Sequence, residues 1–146
     1  MRWSVVSGAE GVRLMPAIFP DLLPGELLYS AIARYSDMLG YRNSIALLRD
    51  IVGGVGSAIT SPVLPGNLAR FRERLPPSFP FTLSRLIESH TAWPYYRPFC
   101  SQVAGRRVEN AMHSPSGSPA TLVKTGRGVV QRCPWLRFCA GCVAQN

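Results

Sequence analysis

Lysine, histidine and, late in the chain, negative charge are what this 146-residue sequence lacks. Lys124 is the one lysine among 16 basic residues, His90 and His113 are the histidines, and no Asp or Glu follows Glu109. Each shortage removes a class of chemistry. Lys124-Thr125-Gly126 has no glycines in front of it, so the GxxxxGK[ST] loop that cradles phosphates is missing. A histidine-based nucleophilic site would have to use His90 or His113, and neither a G-x-S-x-G elbow nor an H-E-x-x-H helix accompanies them. The eight acids are scattered rather than gathered into the carboxylate cluster of a Mg²⁺-dependent nuclease. The expectation is a protein that is not an enzyme. No apolar run approaches the roughly 20 residues of a membrane-spanning helix. The opening Met1-Arg2-Trp3 stretch has only short apolar patches and no secretory pattern. A soluble, cytoplasmic chain with no membrane partner is expected.

What the chain does have is 47% hydrophobic residues, enough for a sizeable core, and 13 prolines and 13 glycines that commit long stretches to turns. Its net charge of +8 is unevenly spread. Residues 1–109 set 12 arginines against eight acids, whereas residues 110–146 carry Lys124, Arg127, Arg132 and Arg137 with no acid at all. An unopposed basic segment favours a polyanion, most commonly nucleic acid; otherwise it is a solvated tail.

The cysteines are Cys100, Cys133, Cys139 and Cys142. Two residues between Cys139 and Cys142, one of them Gly141, is the reach that lets two thiolates share one tetrahedral Zn²⁺. Cys133 reads first as a packed thiol and second as a third ligand, with His113 or His90 as the fourth. A redox C-x-x-C needs a helix behind it to lower a thiol pKa, and four residues after Cys142 do not make one. The segment therefore reads as the first half of a zinc-ribbon-like unit, truncated.

The expected fold class is mainly α: a small multi-helix domain, a linker and that zinc segment. Residues 1–17 read as an extension, with Met15 an alternative start. Residues 18–113 form the helical domain, 114–132 a linker with β-prone pieces near Leu122-Val123 and Val129-Val130, and 133–146 the zinc knuckle. From Gly25 to Leu39, Leu28, Ile32, Tyr35 and Leu39, with Ala31 and Met38, recur at helical spacing. Glu26 suits the first turn and Gly40 the stop. Asn43 caps a second helix, Ser44 to Ile51, burying Ile45, Leu48 and Ile51 before Gly53-Gly54 break it. Asn67 caps a third, with Leu68, Phe71 and Leu75 inward and Arg70, Arg72 and Arg74 outward. Thr82 caps a fourth, with Leu83, Leu86 and Ile87 apolar, and Ser101 to Met112 is a fifth, weakened by Gly105.

Between the last two lies His90-Thr91-Ala92-Trp93-Pro94-Tyr95-Tyr96-Arg97-Pro98-Phe99, dense in aromatics. Pro94 and Pro98 exclude one continuous helix. Such a stretch either closes the core, with His90 hydrogen-bonded inside, or offers rings that stack on bases beside phosphate-binding Arg97. Arg34, Arg106 and Arg107 join Arg97 and the late basic residues as candidates for nucleic-acid or partner contact.

Three stretches, in order, resemble the TniQ/TnsD family of bacterial transposition proteins. Phe19-Pro20 followed by Leu23-Pro24-Gly25-Glu26-Leu27-Leu28-Tyr29-Ser30 and Ala33-Arg34-Tyr35 is similar to the family's entry, a Pro-containing turn and then E-x-L-x-S. His90-Thr91, Pro94-Tyr95-Tyr96 and Pro98-Phe99 are similar to its H-T-x-x-P-Y-Y-x-P-F segment, and Leu136-Arg137-Phe138-Cys139 with Cys142 to its L-R-[FY]-C-P-x-C. The resemblance implies a zinc-binding, non-catalytic factor of target-site selection. Such a factor bridges target DNA, or a complex already on it, to an ATP-dependent transposition regulator and the transposase. Ala140 stands where the family has Pro, and the family's downstream zinc ligands and helix-turn-helix regions do not follow. Protein contacts with some DNA-backbone contact are expected. The competing readings are a zinc-associated DNA-binding transcriptional regulator, a small redox protein and an inactive truncated remnant.

Overall fold

The structure, a computed structural model, describes residues 19–54, 57–115, 117, 119–125 and 128–129. Entry into the first helix is set by Pro24-Gly25. The Glu26 amide donates to Leu23 O at 3.0 Å, and Gly25 sits at φ +73°, which is a type II turn with proline and glycine in the positions that turn requires. Because Glu26 is spent on this turn, helix α1 runs Leu28–Leu39, three residues shorter at its start than the periodicity predicts. It buries Leu28, Ala31, Ile32 and Tyr35, while Met38 and Leu39 extend past the core and are exposed. Gly40, at φ +65°, ends it by donating its amide back to the last turn.

Helix α2, Ser44–Val52, is capped as expected, Asn43 Oδ1 accepting from Ala46 N at 2.8 Å. Leu48 and Ile51 face inward as expected, joined by Leu47 and Val52, whereas Ile45 is exposed. After a 3₁₀ turn, Ser57–Thr60, helix α3 spans Leu68–Arg74 with Leu68 and Phe71 buried, and Leu75 is buried just beyond it. Asn67 does not cap it. Its backbone is left-handed (φ 61°), its amide donates to Ser114 O, and its Oδ1 finds no hydrogen-bond partner among the described residues. Arg72 and Arg74 are not simply solvated either. Arg72 Nε donates to Phe81 O at 3.0 Å, and Arg74 Nε to Asp50 O at 2.6 Å, satisfying a carbonyl that the end of α2 leaves open. Arg70 is exposed, as predicted.

Helix α4, Leu83–His90, is capped by Thr82. A short helix α5, Trp93–Tyr96, takes Pro94 in its first turn, where a missing N–H costs nothing, and a 3₁₀ turn, Arg97–Phe99, follows. Helix α6, Gln102–His113, starts on Ser101 Oγ and buries Val108 and Met112; Gly105 faces the indole of Trp93. Helix α7, Pro119–Leu122, packs on α6, and Val123 behind it is fully buried, so part of the stretch read as linker adds to the core. Strands β1, Lys124–Thr125, and β2, Gly128–Val129, pair antiparallel with Lys124 opposite Val129.

The fold is mainly α. One apolar core runs through all the main helices, centred on the rings of Phe19, Tyr35, Phe71 and Phe79, with Phe19 at 5.3–5.9 Å from the other three. Tyr35 and Tyr41 both donate hydroxyls to Asp50 Oδ2, at 2.6 and 2.5 Å, tying α1 to α2. Burial first, then Asp50, pushes the Tyr35 phenol above its ordinary range. No helix among the described residues is long and apolar enough to cross a membrane.

Candidate partner-binding corner

The two motif segments at opposite ends of the helical domain meet. His90, 3% exposed, brings Nδ1 within 2.8 Å of Glu26 O. A carbonyl only accepts, so Nδ1 carries the proton and donates. Glu26 in turn holds Arg34 in a two-pronged pair, Nε to Oε1 at 3.0 Å and Nη2 to Oε2 at 2.6 Å, while Oε2 also accepts from Leu23 N. Arg34 Nη2 completes the set on Asp21 O at 2.8 Å. Side-chain exposure is 8% for Glu26 and 37% for Arg34, so the pair is a half-buried clasp on the entry turn. Arg34 is therefore paired with an acid rather than offered to a partner.

Burial alone pushes the Glu26 carboxyl up. The hydrogen bonds from Arg34, the Leu23 amide and Ser30, with the Arg34 charge, outweigh it and hold the group below its ordinary 4.5. The bond to Glu26 raises Arg34 correspondingly. A lowered folded-state value means the fold prefers the carboxylate. Its stabilisation is complete above the ordinary value and is lost as pH falls through the lowered one. Glu26→Gln should therefore cost about 1–3 kcal/mol near neutral pH, the scale for losing charged hydrogen bonds. It should also flatten the acid limb of stability, as read by denaturant melts at a series of pH values. A variant whose acid limb matches the parent's would remove the clasp from the account.

The aromatic corner divides between inside and outside. Thr91 Oγ1 donates to Ile87 O at 2.6 Å and accepts from Trp93 N at 3.1 Å, so one hydroxyl ends α4 and starts α5. Trp93 is 1% exposed, its Nε1 donating to Glu109 Oε1 at 2.8 Å. The edge of His90 meets Phe81 at 4.9 Å. That half closes the core. The other half faces out: Tyr95 is 70% and Phe99 65% exposed, and Pro94, Arg97 and Pro98 are exposed with them. Tyr96 is half-buried, its ring edge-on to Tyr95 at 5.1 Å. Neither of the two alternatives for the stretch holds alone, since two successive short turns, α5 and the 3₁₀ turn, send rings to opposite sides.

The outer half continues onto α6, where Val103, Arg106 and Arg107 share one face at three- and four-residue spacing. All three are exposed, and the side chains of Arg97, Arg106 and Arg107 make no hydrogen bond or ion pair among the described residues. Between α6 and α7 lies a groove of about 440 Å³ lined by Phe99, Cys100, Val103, Ala104, Arg107 and Leu122, among others. Sequence reading picked out the arginines and Phe99 but missed Val103, Leu122 and Cys100. A helical wheel of 102–113 places Val103 with the arginines; the approach of Leu122 had no local signal.

Of the other entry-motif residues, Leu27 and Ser30 are half-buried and Tyr29 is exposed. Lys124 lies in β1, and Arg127, Arg132, Cys133, Arg137, Cys139 and Cys142 fall outside the described residues. Among the described residues no three His, Cys, Asp or Glu side chains converge as metal ligands. Compared with known proteins, residues 17–146 match the family model described as TniQ. No curated protein matches the chain.

Proposed function

The chain belongs to the TniQ family of DNA transposition proteins, and we propose that it serves there as a non-enzymatic adaptor in target-site selection. In this reading it links target DNA, or a complex bound to it, to the ATP-dependent regulator and transposase. The observation that carries the proposal is the outward half of the aromatic corner, where unpaired arginines lie beside exposed rings on a domain whose core is otherwise closed. Such a surface binds and positions. The basic run from Lys124 to Arg137 adds DNA-backbone attraction whose strength falls as salt rises.

Deleting the gene from a host in which its element transposes tests this reading. Insertion at the preferred target is expected to be lost and to return on complementation. Unchanged insertion frequency and target distribution would overturn it.

The proposal includes zinc. Thiolates two residues apart suit tetrahedral Zn²⁺, and Cys139 and Cys142 have that spacing, with Cys133 as the candidate third ligand. The metal's role there is to fold a small recognition unit. Purified chain is expected to carry zinc by elemental mass spectrometry, and the double variant Cys139→Ser/Cys142→Ser to fall to background. Equal zinc in both would remove these residues as ligands.

A further inference from the structure

The geometry points to the groove between α6 and α7 as the seat of an acidic amphipathic helix from a protein partner. This inference rests on the adaptor reading and names the chemistry of what the adaptor holds. The groove's volume, about 440 Å³, is within the range of roughly 300–1,000 Å³ at which concave sites bury a ligand. Phe99, Val103, Ala104 and Leu122 set apolar side chains among the polar lining of Ser101, Arg107 and Thr121, and Phe99 and Val103 are 65% and 64% exposed, so there is apolar surface still to be covered. Arg107 lines the same groove. Arg106 stands beside it on the helix and Arg97 two residues before Phe99, none of them neutralised by a described residue. Glu109, the acid nearest along α6, is occupied by the Trp93 indole.

The occupant must therefore bring apolar side chains for the floor and carboxylates for the rim. An amphipathic helix with aliphatic or aromatic residues at i and i+4, flanked by Asp and Glu, does both at once, since each carboxylate can take an arginine fork. A nucleic-acid backbone would satisfy the arginines but leave these apolar side chains uncovered.

The test pans the full chain against a display library of helical peptides about 16 residues long, a length at which an isolated helix begins to hold. Enriched peptides are expected to carry paired apolar residues flanked by acids. Phe99→Ala and Arg107→Glu should each weaken them about thirtyfold, the scale of an interface hot spot. Bound peptide should also slow alkylation of Cys100, which lines the groove, as read by peptide mapping. Both substitutions are at exposed positions, and thermal melts verify that the variants remain folded. No enrichment, peptides without acids, or affinities untouched by both variants would overturn the proposal. Displacement of the peptide by single-stranded DNA, with DNA binding itself lost in both variants, would also overturn it and give the groove to nucleic acid. The adaptor reading stands or falls separately, by the gene deletion.

Discussion

Trp93→Ala is expected to cost about 3–5 kcal/mol, the largest loss of any single substitution in the corner. The indole is 1% exposed, lies against Gly105 of α6 and holds Glu109 through Nε1. Removing it leaves a cavity where α4, α5 and α6 meet, and neighbours built on short, proline-bounded turns have little freedom to collapse into it. For a chain of this size the change corresponds to a fall in melting temperature of roughly 10–20 °C. Trp93→Phe keeps most of the ring and loses the hydrogen bond, so its cost should be nearer 1–2 kcal/mol. Thermal and denaturant melts of the two variants beside the parent decide the matter. A shift of only a few degrees for the alanine variant would mean the corner does not close the core.

Reversing the outer charges should do the opposite. In Arg97→Glu/Arg106→Glu/Arg107→Glu each substitution changes the charge by two units, taking the chain from +8 to +2. These side chains hold nothing among the described residues, and isolated surface changes typically stay within about 0.5 kcal/mol each, so the melting temperature should barely move. Like charges brought together at an interface cost several kcal/mol, which is at least a hundredfold in association. Targeted insertion should fall on that order while the protein accumulates normally. Full activity in a folded triple variant would detach this face from function.

Much of the helical layout was legible, for a physical reason. Where a helix lies on one side of a core its apolar residues must recur every three or four positions, and 28–35 and 83–87 do. The caps Asn43 and Thr82 and the stops Gly40 and Gly53 were legible because each answers a local backbone need. What local pattern does not carry is pairing across distance. The Glu26–Arg34 clasp spans eight residues and the His90–Glu26 bond 64, so neither role follows from periodicity. Asn67 looked like a cap because of its residue type, yet its backbone takes the left-handed conformation and its side chain turns inward. Arg72 and Arg74 looked solvated because exposure is the default for arginine, but carbonyls of Phe81 and Asp50 were waiting for them.

The candidate site was half legible. Aromatic density and unopposed arginines flagged 90–107, and resemblance placed it in a transposition protein. Prolines every few residues leave no period from which to sort inner rings from outer ones, so Trp93 and Phe99 could not be told apart. The groove itself is a product of α7 folding back on α6, which a stretch rich in Ser, Pro and Gly did not announce.

Hydroxyl-radical footprinting of the chain, free and within the assembled transposition complex, tests the central claim most directly, because it reads side chains one at a time. The account predicts that Tyr95 and Phe99 oxidise readily in the free protein and are shielded on assembly, while buried Trp93 stays protected throughout. Rings at 95 and 99 that oxidise as fast in the complex as alone would contradict it.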